Sequence, residues 1–370
     1  MKNIVIDARM VNHSGIGTYL RSVISVLTKK YDITLLGNKE LFKSFTWFEE
    51  VKIIPCLSKI YSLAEQLELP HKIPQCDLFL SPHYNISLLP VKAKHRVVII
   101  HDVYHLAYLK ELPVHQKTYA KLMINSAARI SQRVFTVSEF SRSEIIKFTG
   151  ISEEKIRIVY FGIDLPETEN VIDNESIDKV KRKYNLPENF LLYVGNIKPH
   201  KNLKSLLHAL KILAKNNSQI KLVVAGKADG FITGDSESIS LIQNDEVIKS
   251  AVVFAGYIEN SDLPLIYKFA TALIFPSFYE GAGLPPLEAM AYGCPVIASS
   301  AASIPEICGD AALFFNPDNV NDLANKIELV VNDKNLRMEL IQKGIKNVRR
   351  FSRDAFAKKL IHEINDVLSD

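Results

Sequence analysis

Residues 271–299 read TALIFPSFYEGAGLPPLEAMAYGCPVIAS, and this stretch predicts a strand, a bend, a helix and a second strand. The apolar runs TALIFPS and CPVIAS are typical of buried strands. Between them, Pro285 and Pro286 favour the first turn of a helix, where a missing N–H removes no hydrogen bond. Two buried strands joined through a helix form a parallel βαβ unit. The stretch therefore predicts an α/β protein.

The same alternation of strands and helices occurs on both sides of a polar interval. The strand-like runs before the interval are NIVIDAR, DLFLSPH, VVIIHD and VFTVS, and those after it include FLLYVGN, KLVVAG and SAVVFAG. The interval itself reads LPETENVIDNESIDKVKRKYNLPEN and places a domain boundary near residue 165. We expect two Rossmann-like domains with doubly wound parallel sheets, residues 1–165 and 166–351, followed by a final amphipathic helix.

Composition indicates a folded protein of two ordinary domains, because 370 residues contain 47% hydrophobic and 23% charged side chains. No apolar run approaches the roughly 18 to 20 residues that span a bilayer, and the first residues lack the pattern of a signal peptide. We therefore expect a cytoplasmic protein. The four cysteines show no paired CxxC spacing, so neither a zinc site nor a disulfide scaffold is predicted.

Positive charge is concentrated in the first half of the chain. Residues 1–165 contain 22 Lys and Arg against 15 Asp and Glu, whereas the remainder contains 23 against 26. This excess has two possible explanations. Either the lysines are simply solvated on the surface, or the basic half faces a membrane surface or a lipid-phosphate acceptor. Nucleic acid is disfavoured, because the basic residues show no interleaved aromatic pattern.

Unusual side chains gather at the predicted carboxyl ends of the strands, where open parallel sheets bind ligands. In the first domain they are Gly15, Gly17, His83, His101 and Asp102. In the second they are Lys198, His200, Lys201, Gly256, Tyr257 and Glu280. Two sheets with these ends facing each other would enclose one cleft, and this predicts a single ligand site lined from both domains.

Residue types in the second domain favour a ligand that combines phosphate with hydroxyl groups. Lys201 at a helix start, near the Gly281 bend, suits a diphosphate, although a lysine in such a place is often merely solvated. Glu288, one turn into its helix, suits the hydroxyls of a ribose, and Glu280 suits those of a sugar. The alternative to a binding role is that both acids lie near a helix N-terminus only because the helix dipole favours negative charge there. The combination predicts transfer of a sugar from a nucleoside diphosphate.

For the candidate residues of the first domain, the sequence leaves a functional and a structural interpretation open. Gly15 and Gly17 form either a phosphate-binding turn or a plain helix cap, since the full GxGxxG pattern is lacking. The pair His101 and Asp102 is equally open: either Asp102 pairs with a substrate hydroxyl beside a site histidine, or His101 is a core histidine with its own hydrogen bonds. No Asp-x-Asp motif and no metal-ligand spacing occur in the sequence, so no metal and no cofactor are expected. Lys201 and the helix ends would then neutralise a leaving diphosphate.

The motif blocks resemble those of the retaining family-4 glycosyltransferases with the GT-B fold. EGAGLPPLEAMAYGCPVIAS contains the two acids with seven residues between them, a specific signature of that family. The blocks that match in order are VGNIKPHKNL, SGIGTYL, IIHDVYH, TVSEFSRSEI, AGYIENSDL and ASIPEICGDAALFFNP. The resemblance spans nearly the whole chain and implies two Rossmann-like domains across a cleft, with the helix of residues 352–370 returning to the N-terminal, acceptor-side domain.

The resemblance also implies a role for each matching residue. Lys201 would bind the donor diphosphate and Glu288 the ribose. Glu280 would hold the donor sugar together with the backbone of Gly281, Ala282, Gly283 and Leu284. His101 would lie beside that sugar and the acceptor, Gly15 and Gly17 near the phosphate, and Tyr257 and Ile258 around the base.

One departure from the family concerns the phosphate cations. Many members have an arginine directly after the VG pair or directly before the lysine, and these two places are occupied here by Asn196 and His200. A protonated His200, or Lys198, would have to supply the missing charge. Asn196 and His200 are therefore included among the predicted donor-binding residues.

The resemblance implies a retaining hexosyltransferase of surface-polysaccharide (O-antigen) assembly, and the lack of metal-binding motifs predicts that it is metal-independent. The similarity to mannosyltransferases with a VG-x-x-x-P-x-K-N block favours GDP-mannose as the donor. The expected acceptor is lipid-linked or an oligosaccharide, at the inner face of the cytoplasmic membrane. The alternatives are a UDP-sugar donor carrying glucose, galactose or GlcNAc, a nucleotide-sugar epimerase, and a two-domain ligand-binding protein. No carboxylate stands out as a nucleophile, so we expect front-side exchange in which the leaving phosphate helps to deprotonate the acceptor.

Overall fold

The computed structural model describes residues 1–109, 113–166, 174–216, 218–226 and 235–370. By its contacts the chain divides into two units. Unit 1 contains Met1–Gly162 and Arg353–Asp370, and unit 2 contains Ile163–Ser352. Each unit has its own parallel sheet and hydrophobic core.

Unit 1 is built on a seven-stranded sheet with strand order β3-β2-β1-β4-β5-β6-β7, in which all neighbours are parallel. The strands are β1 (Asn3–Asp7), β2 (Asp32–Gly37), β3 (Lys52–Pro55), β4 (Cys76–Ser81), β5 (Ala93–Ile99), β6 (Arg133–Thr136) and β7 (Ile156–Ile158). The helices are α1 (Ser14–Leu27), α2 (Leu63–Lys72), α3 (Tyr104–Ala107), α4 (Val114–Ile130) and α5 (Glu139–Thr149). Ile4, Val5 and Ile6 are all fully buried, as expected of a strand covered on both faces.

Unit 2 is built on a six-stranded sheet with strand order β10-β9-β8-β11-β12-β13, again all parallel. The strands are β8 (Phe190–Val194), β9 (Lys221–Ala225), β10 (Val252–Gly256), β11 (Ala272–Phe275), β12 (Val296–Ser299) and β13 (Ala312–Phe315). The helices are α6 (Asn174–Lys183), α7 (Leu203–Lys215), α8 (Ser236–Asn244), α9 (Glu246–Ala251), α10 (Leu263–Phe269), α11 (Leu284–Ala291), α12 (Ile304–Cys308), α13 (Val320–Asn332) and α14 (Lys334–Val348).

The βαβ unit predicted from residues 271–299 is present as β11, α11 and β12, and β11 and β12 are adjacent and parallel. Pro285 and Pro286 lie in the first turn of α11, as their missing N–H groups favour. β11 also pairs with β8, so the strand order reverses between these two strands. In unit 1 the same reversal occurs between β1 and β4. Such reversals open the crevices where doubly wound sheets bind ligands.

The last helix of the chain, α15 (Arg353–Ser369), is part of unit 1. The ring of Phe356 lies 5.5 Å from that of Tyr19 on α1. A Cβ on Gly162 would lie 2.7 Å from the Cβ of Phe356, so only glycine allows this close approach. The Tyr31 hydroxyl donates to Asn365 Oδ1 at 2.8 Å, which ties the far end of the helix to the same unit.

Two further predictions concern the thiols and the membrane. All four cysteines are free and buried, in agreement with the absence of CxxC spacing. Within the described ranges, none of the helices combines the length and the apolarity that crossing a bilayer requires. The predicted polar interval contains α6, while its residues 167–173 lie outside the described residues.

Candidate active site

The loop after β8 carries Lys201 in a single 3₁₀ turn, Pro199–Lys201. The sequence predicted that Lys201 opens the following helix, and this detail is corrected, because α7 begins at Leu203. Asn202 separates the turn from the helix with a left-handed φ of 55°. Its buried side-chain amide donates to the carbonyl of Pro276, just after β11, at 3.1 Å. The turn that holds Lys201 is therefore fixed to the end of the neighbouring strand.

Lys201 and Glu280 form an ion pair at this strand reversal. The distance from Lys201 Nζ to Glu280 Oε1 is 2.5 Å, and the two side chains are 22% and 13% exposed. The Phe278 amide donates to the His200 carbonyl at 2.8 Å, which joins the two loops through the backbone. Ser303 Oγ donates to the Glu280 carbonyl at 2.9 Å. Glu280 is therefore held in place, with its charge balanced by a lysine from the adjacent strand end.

Glu288 lies on α11, and its carboxylate is oriented by a tyrosine. The Tyr267 hydroxyl, on α10, donates to Glu288 Oε2 at 2.9 Å, and Tyr267 is 1% exposed. Burial raises the pKa of Glu288 above its usual range, while the hydrogen bond from Tyr267 acts in the opposite direction. The Tyr292 ring stacks parallel to Tyr267 with centroids 6.5 Å apart. The arrangement presents a half-buried, preoriented carboxyl group, which suits recognition of a diol.

The bend between β11 and α11 leads directly to a helix N-terminus. Gly281 and Gly283 are buried, Ala282 is half-buried, and α11 begins at Leu284. A Cβ on Gly283 would meet only an ordinary contact, 3.6 Å from Pro286 Cγ. The amide dipoles at this helix start favour a negative charge.

Glycines follow the neighbouring strands β8 and β9 of unit 2. A Cβ on Gly226, after β9, would lie 2.1 Å from the carbonyl oxygen of Gly195, after β8, so the two loops touch through their backbones. Asn196 follows and is half-buried. Tyr257 and Ile258 follow the edge strand β10, and they are 60% and 7% exposed. Lys201 and Glu280 follow the two central strands β8 and β11, Glu288 lies on the helix after β11, and Tyr257 lies at the flank of the sheet.

In unit 1, His101 is a packed and neutral imidazole. Its Nε2 donates to the Pro82 carbonyl at 3.1 Å, and its ring lies edge-on to Tyr19 with centroids 5.1 Å apart. Burial lowers the pKa of His101 to about 4, although the charge of Asp102 acts to raise it. At neutral pH the ring is uncharged, with the Nε2 proton engaged by the backbone.

The other predicted residues of unit 1 have local structural roles. Asp102 Oδ1 accepts a hydrogen bond from the Tyr104 amide at 3.0 Å, at the start of α3. A Cβ on Gly17 would lie 2.4 Å from the Val11 carbonyl oxygen, so close packing requires glycine there. Gly15 differs, because its Cβ would have no neighbour within 4 Å.

Several residues that shape the site in unit 2 were not predicted from the sequence. They are Asn202, Tyr267, Ser277 and Ser303, of which Ser277 is 1% exposed with no hydrogen-bond partner for Oγ among the described residues. Asn202 and Ser303 lie in motif blocks, VGNIKPHKNL and ASIPEICGDAALFFNP, which was the available signal. Tyr267 lies outside the acid-containing block, and nothing in its neighbourhood indicates a partner on α11. Within the described ranges, no three His, Cys, Asp or Glu side chains are arranged to hold a metal ion.

Both units match known protein families. A model of the glycosyl transferases group 1 matches residues 174–347, and a model of glycosyltransferase family 4 matches residues 13–167. The chain belongs to the glycosyltransferases that these two family models describe, with one model matching each unit. Its two matches cover the motif blocks on which the family resemblance was based, from SGIGTYL to ASIPEICGDAALFFNP.

Relatives of this glycosyltransferase include bacterial mannosyltransferases. The serotype-specific mannosyltransferase WbdA of Escherichia coli is 30% identical over 261 residues, which are 69% of this chain and 31% of that protein. The chain thus spans about a third of the length of that relative. O-antigen chain mannosyltransferase B of Escherichia coli is 28% identical over 268 residues, 71% of this chain and 68% of that protein. RfbU of Salmonella typhimurium, an O-antigen chain mannosyltransferase, is 28% identical over 268 residues, 72% and 69% of the two chains.

Solved structures share the fold at low sequence identity. Anabaena Alr3699/HepE in complex with UDP has a TM-score of 0.76 and 17% identity, covering 99% of this chain and 100% of that one. Sucrose-phosphate synthase from Thermosynechococcus elongatus has a TM-score of 0.79 and 17% identity over the full length of both chains. WaaG, a glycosyltransferase involved in lipopolysaccharide biosynthesis, has a TM-score of 0.73 and 15% identity, covering 96% of this chain and 98% of that one. The predicted GT-B fold, with two Rossmann-like parallel sheets, is confirmed.

Proposed function

We propose that this glycosyltransferase moves mannose from GDP-mannose onto a lipid-linked or oligosaccharide acceptor during assembly of a bacterial surface polysaccharide, with retention of anomeric configuration. The observation that carries the proposal is the Lys201–Glu280 pair at the β8–β11 reversal, with Glu288 on the adjoining α11. A cation, a helix start and two carboxyl groups suit a sugar diphosphate, which carries both phosphate and hydroxyl groups. The mannosyltransferase names of three relatives support the choice of donor.

Each residue has a part in donor binding under this proposal. The diphosphate takes Lys201 as its cation, and Glu280 then accepts hydrogen bonds from the hydroxyls of the mannose. Glu288 accepts from the ribose hydroxyls, while Tyr257 and Ile258 contact the base. Asn196 and His200 lie in the loop that follows β8, where they border the phosphates. The roles proposed for Gly15, Gly17, His101 and Asp102 in unit 1 stay predictions.

The proposed reaction is a front-side exchange. The acceptor oxygen forms a bond to the anomeric carbon as the bond from that carbon to the β-phosphate oxygen breaks, and the acceptor proton passes to the leaving phosphate. Lys201 and the start of α11 stabilise the charge that develops on the diphosphate. Because these groups supply the positive charge, we propose that no metal ion is needed and that turnover survives excess EDTA. Complete loss of turnover in EDTA, restored by a divalent ion, would refute this part.

A UDP-sugar is the second candidate donor. One solved structure of the same fold, HepE, holds UDP-glucose, and its TM-score to this chain is 0.78. Glucose, galactose and GlcNAc therefore belong in the donor screen alongside mannose.

The deciding experiment is a donor screen by thermal shift. A ligand present at 100 times its dissociation constant stabilises the folded protein by about 2.7 kcal/mol, which corresponds to several degrees in Tm. We expect GDP-mannose to raise the Tm of the wild type and to have a smaller effect on Lys201→Ala. A shift with UDP-glucose, UDP-galactose or UDP-GlcNAc alone would replace the proposed donor. No shift with any of the four would contradict a sugar-nucleotide site.

We further propose that unit 1 binds peripherally to the inner face of the cytoplasmic membrane. Two apolar side chains of α4, Val114 and Leu122, are 76% and 54% exposed, and Lys117 and Lys121 line the same surface depression. Apolar side chains flanked by lysines suit an anionic lipid surface. Co-sedimentation with phosphatidylglycerol vesicles but not with phosphatidylcholine vesicles is expected, and it should weaken in Lys117→Glu/Lys121→Glu. Equal sedimentation of wild type and variant would contradict the proposal.

A further inference from the structure

The strand reversal in unit 1 carries a group of polar and aromatic residues with no role in the proposed donor chemistry. Asp7 ends β1 and Arg9 follows it, while His83 and Asn85 follow β4, the strand that pairs with β1. The carboxyl ends of two such strands border the crevice where a doubly wound sheet binds ligands. The topology alone therefore makes this a candidate binding position.

The floor of this position is a buried hydrogen-bonded network. Arg9 donates to both carboxylate oxygens of Asp7, at 2.9 and 2.7 Å, and to Glu65 Oε2 at 3.2 Å. Asn85 Nδ2 donates to Glu65 Oε1 at 2.5 Å, and the Tyr119 hydroxyl donates to Asn85 Oδ1. Glu65 is fully buried and Asn85 is 4% exposed. Because its members satisfy one another, the network is a rigid, buried polar layer at the ends of β1 and β4.

One polar atom next to this floor has no partner. His83 is 9% exposed, and its Nδ1 has no hydrogen-bond partner among the described residues. Burial lowers the pKa of His83 well below its ordinary value, so the ring is neutral at neutral pH. A buried polar group left unpaired costs about 1–3 kcal/mol, which a ligand hydroxyl would recover.

A tyrosine with a strained backbone conformation lies beside His83. Tyr61, just before α2, has a left-handed φ of 66° and is 48% exposed. Its ring lies edge-on to His83 at 5.9 Å and to Tyr119 at 6.0 Å, measured between centroids. The left-handed conformation costs a residue with a Cβ about 1–2 kcal/mol. Backbone strain of this kind is characteristic of ligand-binding positions, and here it occurs at a tyrosine whose side chain is half-exposed.

We infer that Tyr61 and His83, above the Glu65–Asn85 floor, form a subsite for one neutral pyranosyl unit, which is the terminal sugar of the acceptor. The C–H face of a pyranose packs on the Tyr61 ring, and one of its hydroxyls bonds to His83 Nδ1. A phosphate is disfavoured here, because the floor contains two carboxylates and a single guanidinium already bonded to both. The inference rests on the proposed function, since it assigns the acceptor of that reaction.

Two variants separate a binding role from a structural one. Tyr61→Gly removes the ring and places at φ 66° the residue that tolerates this conformation best, so the Tm should not fall. His83→Phe keeps an aromatic ring and removes the unpaired nitrogen, so the Tm should be unchanged or higher. If both residues served packing alone, sugar binding would be unaffected by either change. Tyr31→Phe, which removes a hydroxyl bonded to Asn365, is the matched control.

The measurement is a ligand-observed NMR titration of the full chain. The probes are the methyl glycosides of mannose, glucose, galactose and GlcNAc, together with dodecyl phosphate below its micelle concentration. We expect at least one glycoside to bind the wild type and Tyr31→Phe equally, and to bind Tyr61→Gly and His83→Phe at least tenfold more weakly. The inference would be overturned if no glycoside bound the wild type, or if both variants bound the glycoside as well as the wild type does. It would also be overturned if the two variants lost binding of dodecyl phosphate and kept binding of the glycoside.

A parallel thermal shift with the nucleotide sugars distinguishes this inference from the proposed function. If a nucleotide sugar stabilises the wild type and both variants while no glycoside binds, the acceptor subsite is wrong and the proposed function stands. If no nucleotide sugar stabilises the wild type, the proposed function itself fails.

Discussion

Lys201 and Glu280 balance each other's charge at the centre of the unit 2 sheet edge, with 2.5 Å between nitrogen and oxygen. Removing Glu280 takes away a negative charge next to the proposed phosphates and leaves Lys201 to bind them. Glu280→Ala should therefore abolish mannose transfer while GDP binds as well as before or better. Lys201→Ala should weaken GDP binding at least tenfold, about 1.4 kcal/mol, measured by calorimetry. Equal turnover by wild type and Glu280→Ala would remove Glu280 from the site.

The Tyr267–Glu288 hydrogen bond predicts a pH effect on donor binding. Burial raises the pKa of Glu288, and in its proposed role the ionised carboxylate accepts hydrogen bonds from both ribose hydroxyls. GDP affinity should therefore fall as the pH drops through that raised pKa. Tyr267→Phe removes the interaction that lowers the pKa, so the fall should begin at a higher pH. The measurement is the dissociation constant of GDP between about pH 4.5 and 8. Superimposable profiles for wild type and variant would contradict a positioning role for Tyr267.

At the residue scale, the sequence was sufficient to bring together the side chains that directly follow neighbouring strands. Lys201 and Glu280 each come soon after a buried strand, and parallel strands bring such ends to one edge of the sheet. Tyr267 was missed because its contact with Glu288 depends on how α10 packs against α11, which no local spacing indicates. The network of Arg9 and Glu65 was missed for the same reason, since the two partners are 56 positions apart in the sequence.

At the scale of single elements, two glycines of α1 give a matched test of packing. A Cβ on Gly17 would press on the Val11 carbonyl oxygen at 2.4 Å, whereas one on Gly15 would meet nothing within 4 Å. Gly17→Ala should lower the free energy of unfolding by about 1–3 kcal/mol. Gly15→Ala should leave it unchanged or raise it, because alanine favours a helix. Thermal unfolding checks both, and a lower Tm for Gly15→Ala than for Gly17→Ala would contradict the packing argument.

The buried runs NIVID, FLLYV and ALIF were predicted as strands because parallel strands covered on both faces consist of consecutive apolar residues. β3 and β7 were not predicted, since each is short and lies at an edge of its sheet with partly exposed residues. β2 was not predicted either, although it lies inside the sheet and is largely buried. The start of α7 was placed too early, because the left-handed conformation of Asn202 is a tertiary feature, maintained by its bond to Pro276.

At the scale of the whole molecule, α15 should contribute to the stability of unit 1 in particular. Phe356 is 3% exposed and packs near Tyr19 and Gly162. Phe356→Ala should destabilise unit 1 by about 3–5 kcal/mol. Leu329→Ala, at a position that is 51% exposed, is the control and should change the Tm little. Thermal unfolding with proteolytic mapping tests this, and cleavage that begins in unit 2 of Phe356→Ala would contradict it.

The discontinuity of unit 1 has a consequence for synthesis on the ribosome. Residues 163–352, which form unit 2, emerge from the ribosome before α15, which is the last helix of unit 1. Unit 2 is therefore able to fold while unit 1 still lacks α15. A nascent chain stalled near residue 352 would expose the surface of α1 that Phe356 normally covers. Chaperone capture of such a stalled chain should therefore map to the first 162 residues, although these were translated earliest.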